Sequence, residues 1–135
     1  MSQNLYELFQ TDPEVEREGI EIEVPGGAIF RIAYAGGSNT KYLKAMEKVY
    51  RKHRKALETK TLPRDVSQRL SMELFVDYIL LGWENVHGPD GEIKFTRDNA
   101  IKLLTDLPKV YQWLQEESEN YERFLANQSE EDSGN

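Results

Sequence analysis

The sequence predicts an α+β fold that is mainly α-helical, with about four helices behind an N-terminal β-hairpin. Two runs with apolar residues at every second position lie on either side of a Pro-Gly-Gly turn, residues 20–34. A helical segment that opens near Pro63 has only Glu73 and Asp77 charged between Met72 and Leu81, so it is apolar over most of its circumference there. Helix caps and prolines then divide the C-terminal half into further helices.

The hairpin comes from GIEIEV, PGG and AIFRIAYAGG. Ile20, Ile22 and Val24 alternate with polar residues, and Ala28, Phe30, Ile32 and Tyr34 resume the same period. Pro25-Gly26-Gly27 supplies the turn between them. Ahead of it, Leu5, Tyr6, Leu8 and Phe9 make one short apolar helical turn that ends before Asp12-Pro13. After Gly36-Gly37, either Ser38 or Asn39 can cap a helix running to about Thr59. Tyr42, Met46, Val49, Tyr50, Ala56 and Leu57 keep helical spacing along it.

A second helix opens near Pro63, which is tolerated in a first turn, with Asp65 favourably placed against the helix dipole. It is expected to run to about Leu81. Between Met72 and Leu81 only Glu73 and Asp77 are charged, four residues apart, so this helix belongs at the centre of a core or reserves a face for a partner. Residues 83–95 read as a second short hairpin or loop. Pro89-Asp90-Gly91 forms its turn, and Val86, Ile93 and Phe95 fold back onto the core. Thr96 caps the next helix, and Asp98 lies in its first turn. Leu107-Pro108 interrupts that helix, because a residue before proline is pushed out of the helical region. A last helix carries Val110, Trp113, Leu114, Tyr121, Phe124 and Leu125. The expected organisation is one domain over residues 1–126 and a disordered acidic tail over residues 127–135.

Composition narrows the chemistry. The chain has 135 residues and no cysteine, which excludes disulfides, thiolate zinc sites and a cysteine nucleophile. MSQNLYELFQ has no charged stretch followed by an apolar run, and no segment approaches the ~18–20 apolar residues needed to cross a bilayer. No signal peptide and no membrane partner are therefore expected. Net charge is −7, unevenly placed: Lys41 to Lys55 holds seven Lys/Arg against Glu47, and Glu116 to Asp132 holds seven acids against Arg123.

Glu84, His87, Asp90 and Glu92 form the one cluster that invites acid/base or metal chemistry. A single histidine among scattered carboxylates matches no ligand spacing, and the calcium-loop pattern fails. PGG and AGGSN lack the glycine spacing and the Lys-Ser/Thr ending of a nucleotide loop. No catalytic residues, cofactor or metal are expected, and Trp83 and Trp113 read as core anchors. The basic helix 41–55 supports an alternative, a small nucleic-acid-associated protein. Without a recognisable module or exposed stacking aromatics, however, a solvated or protein-facing surface is favoured over nucleic acid.

The order of segments adds a resemblance. IFRIAYAGGSNTKYLKAMEK, then a helix ending LLGWENV, then DGEIKFTRDNAIKLLTDLP, resembles the tail assembly chaperones of long-tailed bacteriophages over roughly residues 15 to 126. The matching positions are Ala35, Gly36, Gly37, Asn39 and Tyr42, then Gly82, Trp83, Glu84, Asn85 and Val86. Further along they are Asp90, Gly91, Phe95, Asn99, Leu104, Asp106, Leu107 and Pro108. The resemblance implies a non-enzymatic protein that binds the tape measure protein, keeps it soluble and promotes assembly of tail tube protein around it. It implies action in the host cell cytoplasm and absence from the mature virion. Many such proteins also have a longer, frameshifted form. The motif residues read as structural, with Asn85 and Asp90 expected to bond loop backbone. The client-binding residues stay unassigned, and self-association stays open.

Overall fold

The computed structural model describes residues 4–126, so the acidic tail expected over residues 127–135 lies outside the described residues. Asn4 accepts from the Glu7 N–H to cap α1, Leu5–Phe9. Asp12 does the same for α2, Pro13–Glu18, accepting from the N–H groups of Glu14 and Val15 with proline in the first turn. The sequence pattern had shown only a break at Asp12-Pro13. The break is a helix start, because Asp followed by Pro is also N-cap followed by first helical residue.

The hairpin forms as β1, Ile20–Glu23, and β2, Ile29–Ile32, paired antiparallel with Ile22 opposite Phe30. β2 gains a second partner that the sequence reading placed elsewhere. The central helix α5, Arg64–Tyr78, ends three residues short of Leu81, and Leu80–Glu84 is a strand, β3. It completes a three-stranded antiparallel sheet in the order β1-β2-β3. Phe30 lies opposite Trp83 and Arg31 opposite Gly82. Ile32 pairs with Leu80, so Leu81 is the extra residue of a bulge. The apolar run Ile79-Leu80-Leu81 suits helix and strand alike, and the unpaired edge of β2 decides between them.

The helix expected from Asn39 to Thr59 is present as α3, Thr40–Lys52, and α4, Arg54–Glu58, divided by a turn at His53. Residues 83–95 contain a minimal hairpin. β4, His87–Gly88, pairs with β5, Gly91–Glu92, around Pro89-Asp90. Thr96 caps α6, Arg97–Asp106, by accepting from the Asn99 N–H. Pro108 starts α7, Pro108–Glu119. Asn120 ends that helix and caps a 3₁₀ turn, Tyr121–Phe124, where a continuous last helix was expected. Among the described residues there are thus four long helices, α3, α5, α6 and α7, and three short ones, α1, α2 and α4.

The core gathers Ile22, Phe30 and Ile32 from the hairpin and Phe75, Val76, Ile79 and Leu80 from α5 and β3. Val86, Ala100, Leu104 and Leu114 close it from the C-terminal half. Burying each large member contributes about 1.5–3 kcal/mol. The central place expected for α5 is what forms: it packs on α3, β3 and α6. The two ends of the described chain are tied together. Asp12 donates its N–H to Phe124 O at 3.0 Å, and Ala126 donates to Gln10 O at 3.0 Å. Phe124 is fully buried beside Tyr34.

Candidate functional site

α3 is the most plainly two-faced helix in the chain. Tyr42, Met46, Val49 and Tyr50 fall on one side, and Lys44, Lys48 and Arg51 on the other. A helix of this kind normally sinks its apolar stripe into the core. Yet no residue of α3 is buried. Met46 is 42% exposed and Tyr50 50%.

The reason is a groove of ≈ 270 Å³ between α3 and α5. Tyr42, Met46, Val49 and Tyr50 form one wall, and Ser67, Leu70, Ser71, Leu74 and Phe75 form the other. Leu57 and Leu62 line the end where the chain turns from α4 towards α5, and Ala35, Gln115, Ser118 and Glu119 also contribute. The walls are mainly apolar, interrupted by Ser67 and Ser71, and Glu119 is the one carboxylate lining them. Burial raises the Tyr42 hydroxyl pKa above its ordinary value, and the Glu119 charge adds to the effect. The phenol therefore stays a neutral hydrogen-bond donor at any physiological pH.

The solvent side of α3 and α4 is basic. Arg51 pairs with Glu47 at 3.7 Å and Arg54 with Glu58 at 3.0 Å, both exposed. Lys41, Lys44, Lys48, Lys52 and Lys55 have no ion pair among the described residues. An apolar groove beside a lysine-rich face suits an amphipathic segment with acidic flanks.

A second hollow, ≈ 620 Å³, opens between α5, α6 and α7. It is larger and also mainly apolar, through Met72, Ile101, Leu104 and Pro108, with Gln68, Arg69, Glu73, Thr105 and Gln115 among them. Tyr111 reaches it with a buried hydroxyl that has no hydrogen-bond partner among the described residues. Burial, with a smaller contribution from Tyr42, pushes the Tyr111 pKa up to about 12.

The motif residues singled out in the sequence lie around this framework and do not converge on one site. Of the matching positions, Ala35 and Tyr42 line the α3–α5 groove, and the others do not. Gly36, Gly37 and Asn39 set the entry to α3. Gly37 has φ +52°, and a Cβ there would run into the carboxylate of Glu16. That carboxylate is buried in α2 and accepts from the Ser38 N–H at 2.6 Å and from the Thr11 hydroxyl. Asn39 is buried as well. Its Oδ1 accepts from the Tyr42 N–H, and its Nδ2 donates to the carbonyls of Tyr34 and Tyr78.

Trp83, Glu84, Asn85, Asp90, Gly91 and Phe95 belong to the connector between α5 and α6. Trp83 is half-buried, donates from Nε1 to Ile93 O at 2.8 Å, and meets the rings of Phe30 and Phe95 edge-on. Asn85 has φ +58°, and its Nδ2 donates to Gly27 O at 3.4 Å, so it bonds the β1–β2 turn and not its own loop. Asp90 is exposed and bonds no loop backbone among the described residues, which differs from the expectation for it. The turn is carried by Gly91, at φ +113°. Glu84, His87 and Glu92 are exposed too, and no metal-holding group of His, Cys, Asp or Glu exists among the described residues. No described helix is long and apolar enough to cross a membrane.

Sequence reasoning missed Leu57, Leu62, Leu70 and Leu74 as groove residues, because periodicity reports an apolar face without reporting what covers it. Glu16 was missed because a glutamate in PEVERE looks like any solvated one. A search of curated proteins and a search of solved structures both return no match. The family model described as YdaY prophage protein matches residues 37–135, from the entry to α3 onwards, and so includes both walls of the groove. The chain belongs to the YdaY prophage protein family, which makes it a phage-derived protein.

Proposed function

We propose that this protein is a tail assembly chaperone, which binds the tape measure protein, keeps it soluble and promotes assembly of tail tube protein around it. The observation that carries the reading is α3, an amphipathic 13-residue helix with no buried residue, set over an apolar groove. Long helical proteins expose apolar stripes until their final partners arrive, and a groove between two helices is a common receptor for such a stripe. Met46 gives the wall an adaptable side chain, suited to successive, non-identical client segments. The lysines beside the groove favour clients with acidic flanks and hasten encounter. The resemblance in segment order supports the same reading, as does descent from a phage. In this reading the protein is not an enzyme, acts in the host cell cytoplasm and leaves before the virion is complete.

One observation favours a second reading: five lysines on α3 and α4 have no ion-pair partner among the described residues. Phosphate binding would use them, and salt-sensitive binding to duplex or single-stranded nucleic acid is its signature. The chaperone reading is tested by co-expression with a tape measure fragment that aggregates when made alone. The fragment is expected to stay soluble and to co-purify with this protein. Unchanged aggregation with nothing co-purified contradicts the proposal.

A further inference from the structure

The groove has a counterpart on the same chain. α1 has no buried residue, although four of its five residues are large and apolar. Leu5 is 69% exposed, Tyr6 78% and Phe9 55%. Leu5, Leu8 and Phe9 follow the i, i+3, i+4 spacing that puts three side chains on one face of a helix. The element is not a loose end. Phe9 rests on Tyr121 with ring centroids 5.7 Å apart, and the chain just after it is pinned by the Gln10–Ala126 and Asp12–Phe124 backbone bonds. A short apolar knob is therefore presented from a fixed base. No residue of α1 lines the groove of its own chain.

Charge matches knob to groove. Residues 4–18 carry five acids, four of them outside the buried Glu16, and one base, Arg17, whereas α3 and α4 carry seven bases and two acids. We infer that α1 of one copy docks into the α3–α5 groove of a second copy, with the acidic N-terminal segment of the first facing the lysines of the second. The contact joins two different surfaces, so a pair still has one free knob and one free groove, and association is open-ended. It covers the apolar face of α1 on one copy and the α3–α5 groove on the other. The inference does not rest on the chaperone reading, because the mass of the protein alone tests it.

The test is sedimentation velocity on the full chain from low micromolar to submillimolar concentration. The average mass is expected to rise above the 15.7 kDa of one chain and to fall again at high salt. A knob variant, Leu5→Ser with Phe9→Ser, and a groove variant, Met46→Lys with Leu57→Lys, are each expected to stay monomeric. Mixed in equal amounts, the two are expected to form a pair and nothing larger, because only one knob and one groove remain. A monomer at every concentration overturns the inference, as does a mixture that stays monomeric. Far-UV circular dichroism matching the parent shows that each variant is folded. Leu8→Ser, on the same face, provides a milder knob variant that is expected to weaken association several-fold.

Discussion

The side-chain nitrogen of Asn39 donates to the carbonyl oxygen of Tyr34 at 2.9 Å, fastening the entry of α3 to the end of the β-hairpin. The same nitrogen reaches Tyr78 O at 3.4 Å, at the end of α5, and Oδ1 caps α3 through the Tyr42 N–H. One buried amide thus fixes both walls of the groove relative to the sheet. Asn39→Ala loses the cap and leaves buried carbonyls without a donor, and is expected to cost about 2–3 kcal/mol. Asn39→Asp keeps the capping oxygen but not the donor, so it is expected to recover only the smaller part. Denaturant melts of the three proteins check both values.

Trp83 and His87 lie four residues apart in the connector and are expected to behave oppositely. Trp83→Ala removes a ring held by Phe30, Phe95 and the Ile93 carbonyl. Because Trp83 is half-buried, the expected cost is near the lower end of the usual range for such truncations, about 3 kcal/mol. His87 is exposed, and its side chain makes no hydrogen bond or ion pair among the described residues. His87→Ala is therefore expected to leave both the melting temperature and client solubility unchanged. Loss of client binding in a folded His87→Ala protein would show that the connector has a role beyond structure.

Tyr111 supplies a pH dependence. Its folded pKa is pushed up to about 12, whereas the unfolded chain titrates near the ordinary tyrosine value of ~10. Below about pH 10 both states hold the proton, and the group contributes no pH dependence. Between about pH 10 and pH 12 the unfolded state releases it first, so stability falls as pH rises. Tyr42, raised in the same direction, adds to the fall. Tyr111→Phe is expected to flatten this slope. It also removes a buried hydroxyl without a protein partner, so it is expected to stabilise the protein by about 1 kcal/mol at neutral pH. Thermal melts from pH 7 to pH 12 test both effects.

How much of this was legible in the sequence varies by element. The β1–β2 hairpin and the cap at Thr96 were readable, and the α3 cap was narrowed to Ser38 or Asn39, because alternation, turn residues and capping side chains act locally. β3 was not, because Ile79-Leu80-Leu81 carries no period and its strand state depends on the open edge of β2, some 50 residues away in sequence. The motif glycines and Asn39 were visible as positions. Their roles depend on Glu16 and on the Tyr34 and Tyr78 carbonyls, which only the fold brings near. The groove was half visible: the α3 stripe could be read, but not its lack of cover.

The lysines of α3 and α4 are expected to serve protein contacts and solubility. Gel-shift titrations with duplex and single-stranded DNA and RNA are expected to show no tight complex at physiological salt. Submicromolar binding that Lys48→Glu with Arg51→Glu abolishes would favour the nucleic-acid reading, and its steep decline with salt would count the phosphates engaged.

The most direct measurement is the soluble, co-purifying fraction of a tape measure fragment co-expressed with three forms of this protein. These are the parent, the groove variant Met46→Lys with Tyr50→Lys, and a control, Glu122→Lys, at an exposed position that does not line the groove. Both groove positions are half-exposed, so lysine there places a charge on the apolar wall without entering the core. Parent and control are expected to keep the fragment soluble, and the folded groove variant is expected to leave it in the pellet. Equal solubility with all three forms, or with none, would contradict the claim that this groove receives the client.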